Sequence, residues 1–334
     1  MTQSQLIALL NSSVVFGTVI LFGAVGEILT EKGGNLNLGV PGIMYMGGIA
    51  GLIGTFYYEK AAGDAAVPII CILIAIICAL IASFISGLLF AFMTVTLRCN
   101  QNIMGLAFNI FAAGFANFYG GSLNKLAGGV GQINVLVTSK AFRTTIPFLA
   151  GLGSIGKIFF SYGFLAYVAI AMAIILRWFL NRTMVGLNLR AVGEDPAAAD
   201  AVGINVTKYK YVATCIGSGI AGLGGFYYII DYMVSQEAYL SLEAFGWLSI
   251  ALVIFALWRP HLTIIGSAVF GILFSCSSYI TNIPGIQVTV AMKPLLKMLP
   301  YVVTILVLIV TSIRNKKENQ PPASLGLSYF REER

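Results

Sequence analysis

Nine stretches of the chain, near residues 6–29, 38–58, 67–97, 103–122, 164–181, 207–230, 243–258, 263–281 and 299–313, are almost unbroken runs of apolar side chains. A helix needs about 20 residues to cross the hydrocarbon of a bilayer, and long apolar runs without strand-like alternation read as such helices. The pattern predicts an all-α, polytopic helical membrane protein of about nine transmembrane helices. One transmembrane domain is expected over residues 1–313, with a cytoplasmic tail over 314–334. The run 67–97 is long enough to tilt or to project beyond the bilayer, and with no polar or Pro break splitting it, it reads as one helix.

Three segments depart from plain spans. Residues 33–42 carry Gly33, Gly34, Gly39, Pro41 and Gly42, and lead into Gly47, Gly48, Gly51 and Gly54. Gly and Pro at this density disfavour a regular helix, and irregular backbone at membrane depth survives only where protein buries it or water lines it. The second span is therefore expected to be broken, with Asn35 and Asn37 facing a solute path. The alternative reading is a tight turn before a Gly-packed helix. The second segment is the loop 183–206, in which Asp195 suits an N-cap, Pro196 the first helical position, and Gly203 the residue just past the end. The enclosed helix is about two turns, too short to persist alone, so something must dock against it: its own membrane surface, or a cytoplasmic partner gripping a protruding peg. In the third segment, Ala213, Gly217, Ala221 and Gly225 recur every four residues and give one helix face small side chains. That face permits close approach of a neighbouring helix.

Composition excludes several classes. Of 334 residues 58% are hydrophobic and 10% charged, against roughly a quarter charged in an ordinary soluble domain. Disorder and a disulfide-stapled fold are ruled out by the same figures, and the 37 glycines follow no collagen period. The net charge of +7 comes from residues that flank apolar runs instead of forming a stripe, so it marks topology and no nucleic-acid partner. Thirteen Lys and Arg fall on the side of Lys32, Arg98 and Arg259, and seven on the other. The positive-inside rule then places the first set in the cytoplasm, the N-terminus outside and the C-terminus inside. With no basic residue before Lys32, the first run is expected to be retained as a span, not cleaved as a signal peptide. Residues 286–298, apolar with Lys293 and Lys297 four apart, are expected along the outer interface.

Candidate chemistry is sparse. The five cysteines include no CxxC pair and read as packing residues. Residues 151–157 (GLGSIGK) imitate a phosphate-binding loop, but Ile158 stands where a Ser or Thr would hold magnesium and no strand leads in. No metal site is expected, and His261 is the only histidine. The acids sit at span ends or in loops, Glu27 and Asp231 being the exceptions, so the interior suits an uncharged polar solute. Asn102 and Asn109, seven residues apart on one helix face, join Asn35 and Asn37 as candidates for the path, with interhelical hydrogen bonding as the other reading.

Residues 31–44, EKGGNLNLGVPGIM, resemble the opening motif of ABC importer permeases for nucleosides, within the group that includes ribose and branched-chain amino-acid permeases. Residues 186–206, GLNLRAVGEDPAAADAVGINV, are similar to that group's coupling loop, and residues 249–260, SIALVIFALWRP, to its later span and turn. Two departures stand out. Residues 243–247, EAFGW, replace a Gly-x-Gly-Phe start, and Ala256 replaces a common Gly; a diverged half of a heterodimer would explain both. The resemblance implies a multi-pass permease in a bacterial plasma membrane that is not itself an enzyme. It implies ATPase subunits that bind ATP and magnesium and grip the loop, and a second permease subunit, homologous but not necessarily identical. An extracellular solute-binding lipoprotein and a nucleoside cargo complete the set. By matching position Glu194, Asp195, Pro196, Ala199 and Gly203 carry the coupling. Import of sugars or branched-chain amino acids is the alternative cargo, and a self-sufficient secondary transporter the alternative class.

Overall fold

A computed structural model describes residues 3–126, 135–144, 160–233, 239–279, 292–314 and 320–330, and every regular element among them is helical. The helices are α1 (Gln3–Lys32), α2 (Val40–Ala62), α3 (Pro68–Ala91), α4 (Gln101–Leu126), α5 (Leu136–Phe142), α6 (Phe164–Arg182) and α7 (Met184–Glu194). They are followed by α8 (Pro196–Ala201), α9 (Val206–Tyr227), α10 (Tyr239–Phe255), α11 (Pro260–Tyr279), α12 (Lys293–Lys297) and α13 (Leu299–Arg314). A π-helical turn, Phe92–Thr96, continues α3, so the long run 67–97 is one helical element. Among the described residues six helices are long and apolar enough to cross a membrane: those of α1, α2, α3, α4, α6 and α9. The last three predicted spans coincide with shorter apolar helices, Leu242–Phe255, Pro260–Cys276 and Leu299–Val310. Among the described residues, length and composition alone thus carry six crossings, and the three shorter helices fall where the other three spans are expected.

Burial on α3 runs opposite to that of a water-soluble helix. Its small residues Cys71, Ala75, Ala79, Ser83 and Gly87 face inward, while Ile69, Leu73, Ile77 and Ile81 stand out on the surface. In water that surface would cost about 25 cal/mol per Å²; against lipid tails it costs nothing, and small residues are what let helices approach.

The small-residue face of α9 meets neighbours in its own chain, and α9 lies at the centre of the bundle. A Cβ on Gly217 would overlap the Gly26 carbonyl and Thr30 Oγ1 of α1, and one on Gly225 would overlap the Met44 carbonyl of α2. The same packing corrects the expectation of a broken second span. From Val40 to Ala62 the helix is continuous, with Pro41 in its first turn where no donor is lost. Gly47 faces Gly222 and Ser83, Gly48 faces Gly225, and Gly51 faces Phe226. These glycines are contact points, and in an interior without water the backbone keeps its helical hydrogen bonds. The irregular backbone is confined to residues 33–39, ahead of the helix.

One end of the bundle gathers the 33–39 turn, residues 97–100, the whole 183–205 segment and residues 256–259. Leu36 N–H donates to Gln101 Oε1 at 2.6 Å. A cavity of about 290 Å³ is lined by Lys32, Arg177, Arg190, Arg259 and His261. This basic end also receives the C-terminal residues 320–330, which fold back onto it: Ser324 N–H donates to Gly193 O at 3.0 Å.

Candidate functional site

At the basic end, α7 and α8 form a helical knob between two spans, and its shape follows from cap chemistry. Thr183 caps α7, accepting from Gly186 N–H at 3.0 Å. Asp195 ends α7 and caps α8, with Oδ1 accepting from Ala198 N–H at 2.9 Å, and Pro196 occupies the first turn. The far end closes as a Schellman motif: Ile204 N–H donates to Ala199 O and Gly203 N–H to Asp200 O, both at 3.0 Å. Gly203 makes this possible with φ +87°, a region closed to most side chains.

The six-residue α8 thus has both ends satisfied, and burial divides its faces. Ala199 is buried in a small cluster with Val192 and Val206, against which Ile204, Tyr209 and Tyr329 pack. Glu194, Asp195, Ala198, Ala201, Val202 and Gly203 are exposed, and Pro196 is half-buried. Val202 is 76% exposed, an apolar side chain held out at the tip of a polar loop. Of the two docking readings, the inner side rests on its own chain and the outer side is open.

The four asparagines do not share one surrounding. Asn35 and Asn37 are buried in the 33–39 turn. Asn35 Nδ2 donates to Thr214 Oγ1 of α9 at 2.8 Å. Asn37 N–H donates to Glu27 Oε1 at 3.0 Å, and its side-chain oxygen accepts from Gly39 N–H at 2.9 Å. Asn109 is buried against Gly42, where α2 meets α4. Asn102 is exposed in the first turn of α4, so the seven-residue spacing does not give it and Asn109 the same environment. Among the described residues, the buried side-chain oxygens of Asn35 and Asn109 have no hydrogen-bond partner.

A carboxyl pair extends this cluster. Glu27 and Glu31, one helical turn apart on α1, are both buried. Trp258 Nε1–H donates to Glu31 Oε2. The indole reaches it from a turn in which both Leu257 and Trp258 have positive φ, 53° and 55°. Sequence reasoning singled out Glu27 and left Glu31 at a span end; the four-residue spacing was the available signal for the pair. The GLGSIGK segment at 151–157 lies outside the described residues, as do residues 286–291 of the outer segment.

Comparison with known proteins gives a consistent assignment. The family model described as branched-chain amino acid transport system / permease component matches residues 9–309. The nucleoside ABC transporter permease protein NupC of Lactococcus lactis is 32% identical, over 88% of this chain and 89% of its own. The guanosine ABC transporter permease protein NupQ of Bacillus subtilis is 28% identical, over 89% of each chain. TsgC13 of Haloferax volcanii, a permease protein provisionally named for a glucose ABC transporter, is 31% identical over 97% of this chain and 98% of its own. No solved structure gives a significant match.

Proposed function

The chain belongs to the family of branched-chain amino acid transport system permease components, and from that membership we propose that it is the membrane-spanning permease subunit of an ATP-driven importer carrying nucleosides inward. The observation that carries the proposal is the capped knob at 193–203, which offers an open face with Val202 at its tip. A helix of six residues cannot hold such a shape as an isolated peptide. Its two caps and the Ala199 anchor hold it for a partner to grip.

In this reading ATPase subunits bind ATP and magnesium, seat the knob, and move it as they close. Glu194, Asp195, Pro196, Ala199 and Gly203 form the gripped element. A second permease subunit, homologous to this one, completes the path, and an extracellular solute-binding lipoprotein delivers the solute. The chain crosses the plasma membrane nine times, with its N-terminus outside and its basic end in the cytoplasm. Asn35, Asn37, Asn102 and Asn109 contribute to the path, the unpartnered oxygens of Asn35 and Asn109 being the groups a sugar hydroxyl or base amino group would satisfy.

Nucleosides are favoured as cargo because two of the relatives named above carry that cargo in their names along most of their length. The relative named for glucose keeps sugar import as the second reading. A binding and competition panel on the reconstituted complex, with nucleosides, free bases, ribose, glucose and leucine, separates them. Competition by nucleosides alone supports the proposal; competition by glucose or leucine without nucleosides overturns the cargo.

A further inference from the structure

The C-terminal segment 320–330 lies across the basic end and braces three elements there, two of which, the knob at Gly193 and the α1–α2 turn at Lys32 and Gly34, already pack against each other. At the knob, both the N–H and the hydroxyl of Ser324 donate to Gly193 O, at 3.0 and 2.6 Å. Two residues on, Gly326 N–H donates to Gly34 O in the α1–α2 turn at 3.2 Å. Tyr329 donates its hydroxyl to Asp200 Oδ2 at 2.8 Å while its ring packs on the Val192, Ala199 and Val206 cluster. The third element is the end of α3, where the Arg98 guanidinium stacks on the Phe330 ring at 4.6 Å.

Between α8, the start of α9 and the end of α3 lies a cavity of about 700 Å³, lined by Arg98, Asp200, Gly203, Lys208, Lys210 and Tyr329. On that side only the small cluster of Val192, Ala199 and Val206 backs the knob, so a push there would bend α8 locally unless another element held it. The segment that holds it falls beyond residue 309, where the family match ends.

We infer that residues 320–330 act as a positioning strap: through Ser324 and Tyr329 they fix the 193–203 knob to the α1–α2 turn, so that displacement of the knob by the ATPase reaches α1, α2 and α9 instead of dissipating in the cavity. The inference rests on the function proposed above. The turn is the right recipient, because Asn35 joins it to α9 and Leu36 joins it to α4. Packed elements with two discrete arrangements transmit such shifts; loosely held ones do not. Ser324 and Tyr329 are positioning residues and touch no solute.

The test uses the full permease–ATPase complex in proteoliposomes and measures solute moved per ATP hydrolysed, together with ATPase co-purification. Ser324→Ala and Tyr329→Phe each remove one hydroxyl and leave the rest of the strap in place. The expected result is a three- to tenfold fall in solute per ATP with ATPase co-purification within twofold of wild type. Ser324→Thr, which keeps the hydroxyl, is expected to restore the ratio. A truncation after residue 319 should reproduce the loss. An unchanged ratio in both point variants and in the truncation, with the wild type pumping, overturns the strap and leaves the importer reading standing. A wild-type chain that neither binds an ATPase nor is driven by one overturns the importer reading and the strap with it.

Discussion

The side-chain amide of Asn35 donates to the hydroxyl of Thr214 at 2.8 Å, and that hydroxyl in turn donates to Lys210 O at 2.8 Å. This chain of two bonds ties the α1–α2 turn to the first turns of α9, with both side chains buried. Removing one partner leaves the other unsatisfied in the interior, which costs about 1–3 kcal/mol. Thr214→Val should destabilise the detergent-solubilised protein by that amount, and Thr214→Ser, which keeps the hydroxyl, by less than about 1 kcal/mol. Denaturant or thermal unfolding checks the pair; a Thr214→Val chain as stable as wild type would show that the bond holds nothing.

Two glycines on α9 should respond in opposite directions. A Cβ at Gly217 would overlap Gly26 O and Thr30 Oγ1, whereas one at Gly219 meets, among the described residues, only Leu80 Cδ2, at 3.7 Å. Gly217→Ala is expected to cost about 1–3 kcal/mol through overpacking. Gly219→Ala should be neutral or stabilising by about 0.5–1 kcal/mol, because alanine favours the helix. The difference in unfolding midpoint between the two variants is the measurement, and the reverse order would place the α1 contact elsewhere.

Much of this was legible in the sequence, where the physics is local. The caps of α8 depend on residues within a few positions of each other, so Asp195, Pro196 and Gly203 announced their geometry. The four-residue repeat on α9 announced a close approach, but which helix approaches is a matter of tertiary packing. Glycine density misled at α2, because the composition that breaks a helix in water packs one in an apolar interior. Glu31 stayed hidden because its partner Trp258 lies 227 residues away. Residues 320–330 carry no periodicity to betray that they fold back.

The Schellman closure of α8 is separable from packing. No described residue lies within 4 Å of a Cβ built on Gly203, so a substitution there is felt through φ +87°. Gly203→Asn should keep near wild-type uptake, since asparagine tolerates this region, while Gly203→Val should lose more than threefold. Hydrogen exchange at residues 197–204 should rise in the valine variant with the global unfolding midpoint unchanged. Equal uptake by the two variants would contradict the knob's role.

Glu31 and Trp258 should behave as one unit. Trp258→Phe removes the indole donor and Glu31→Leu removes the acceptor. Each is expected to cost about 1–3 kcal/mol, and the double variant less than the sum by about 0.5–3 kcal/mol. A double-mutant cycle on unfolding free energy reads the coupling, and strict additivity would remove the bond from the account.

The central claim, that an ATPase on another polypeptide drives solute through this chain by gripping the knob, is tested most directly by uptake into proteoliposomes of defined content. The account predicts that the permease alone accumulates no radiolabelled nucleoside under any ion gradient. The complex with its ATPase, second permease and binding protein should concentrate nucleoside when ATP and magnesium are supplied on the ATPase side, and replacing Asp195 by Ala should abolish most of that uptake. Uphill uptake by the permease alone, driven by a proton or sodium gradient, would contradict it.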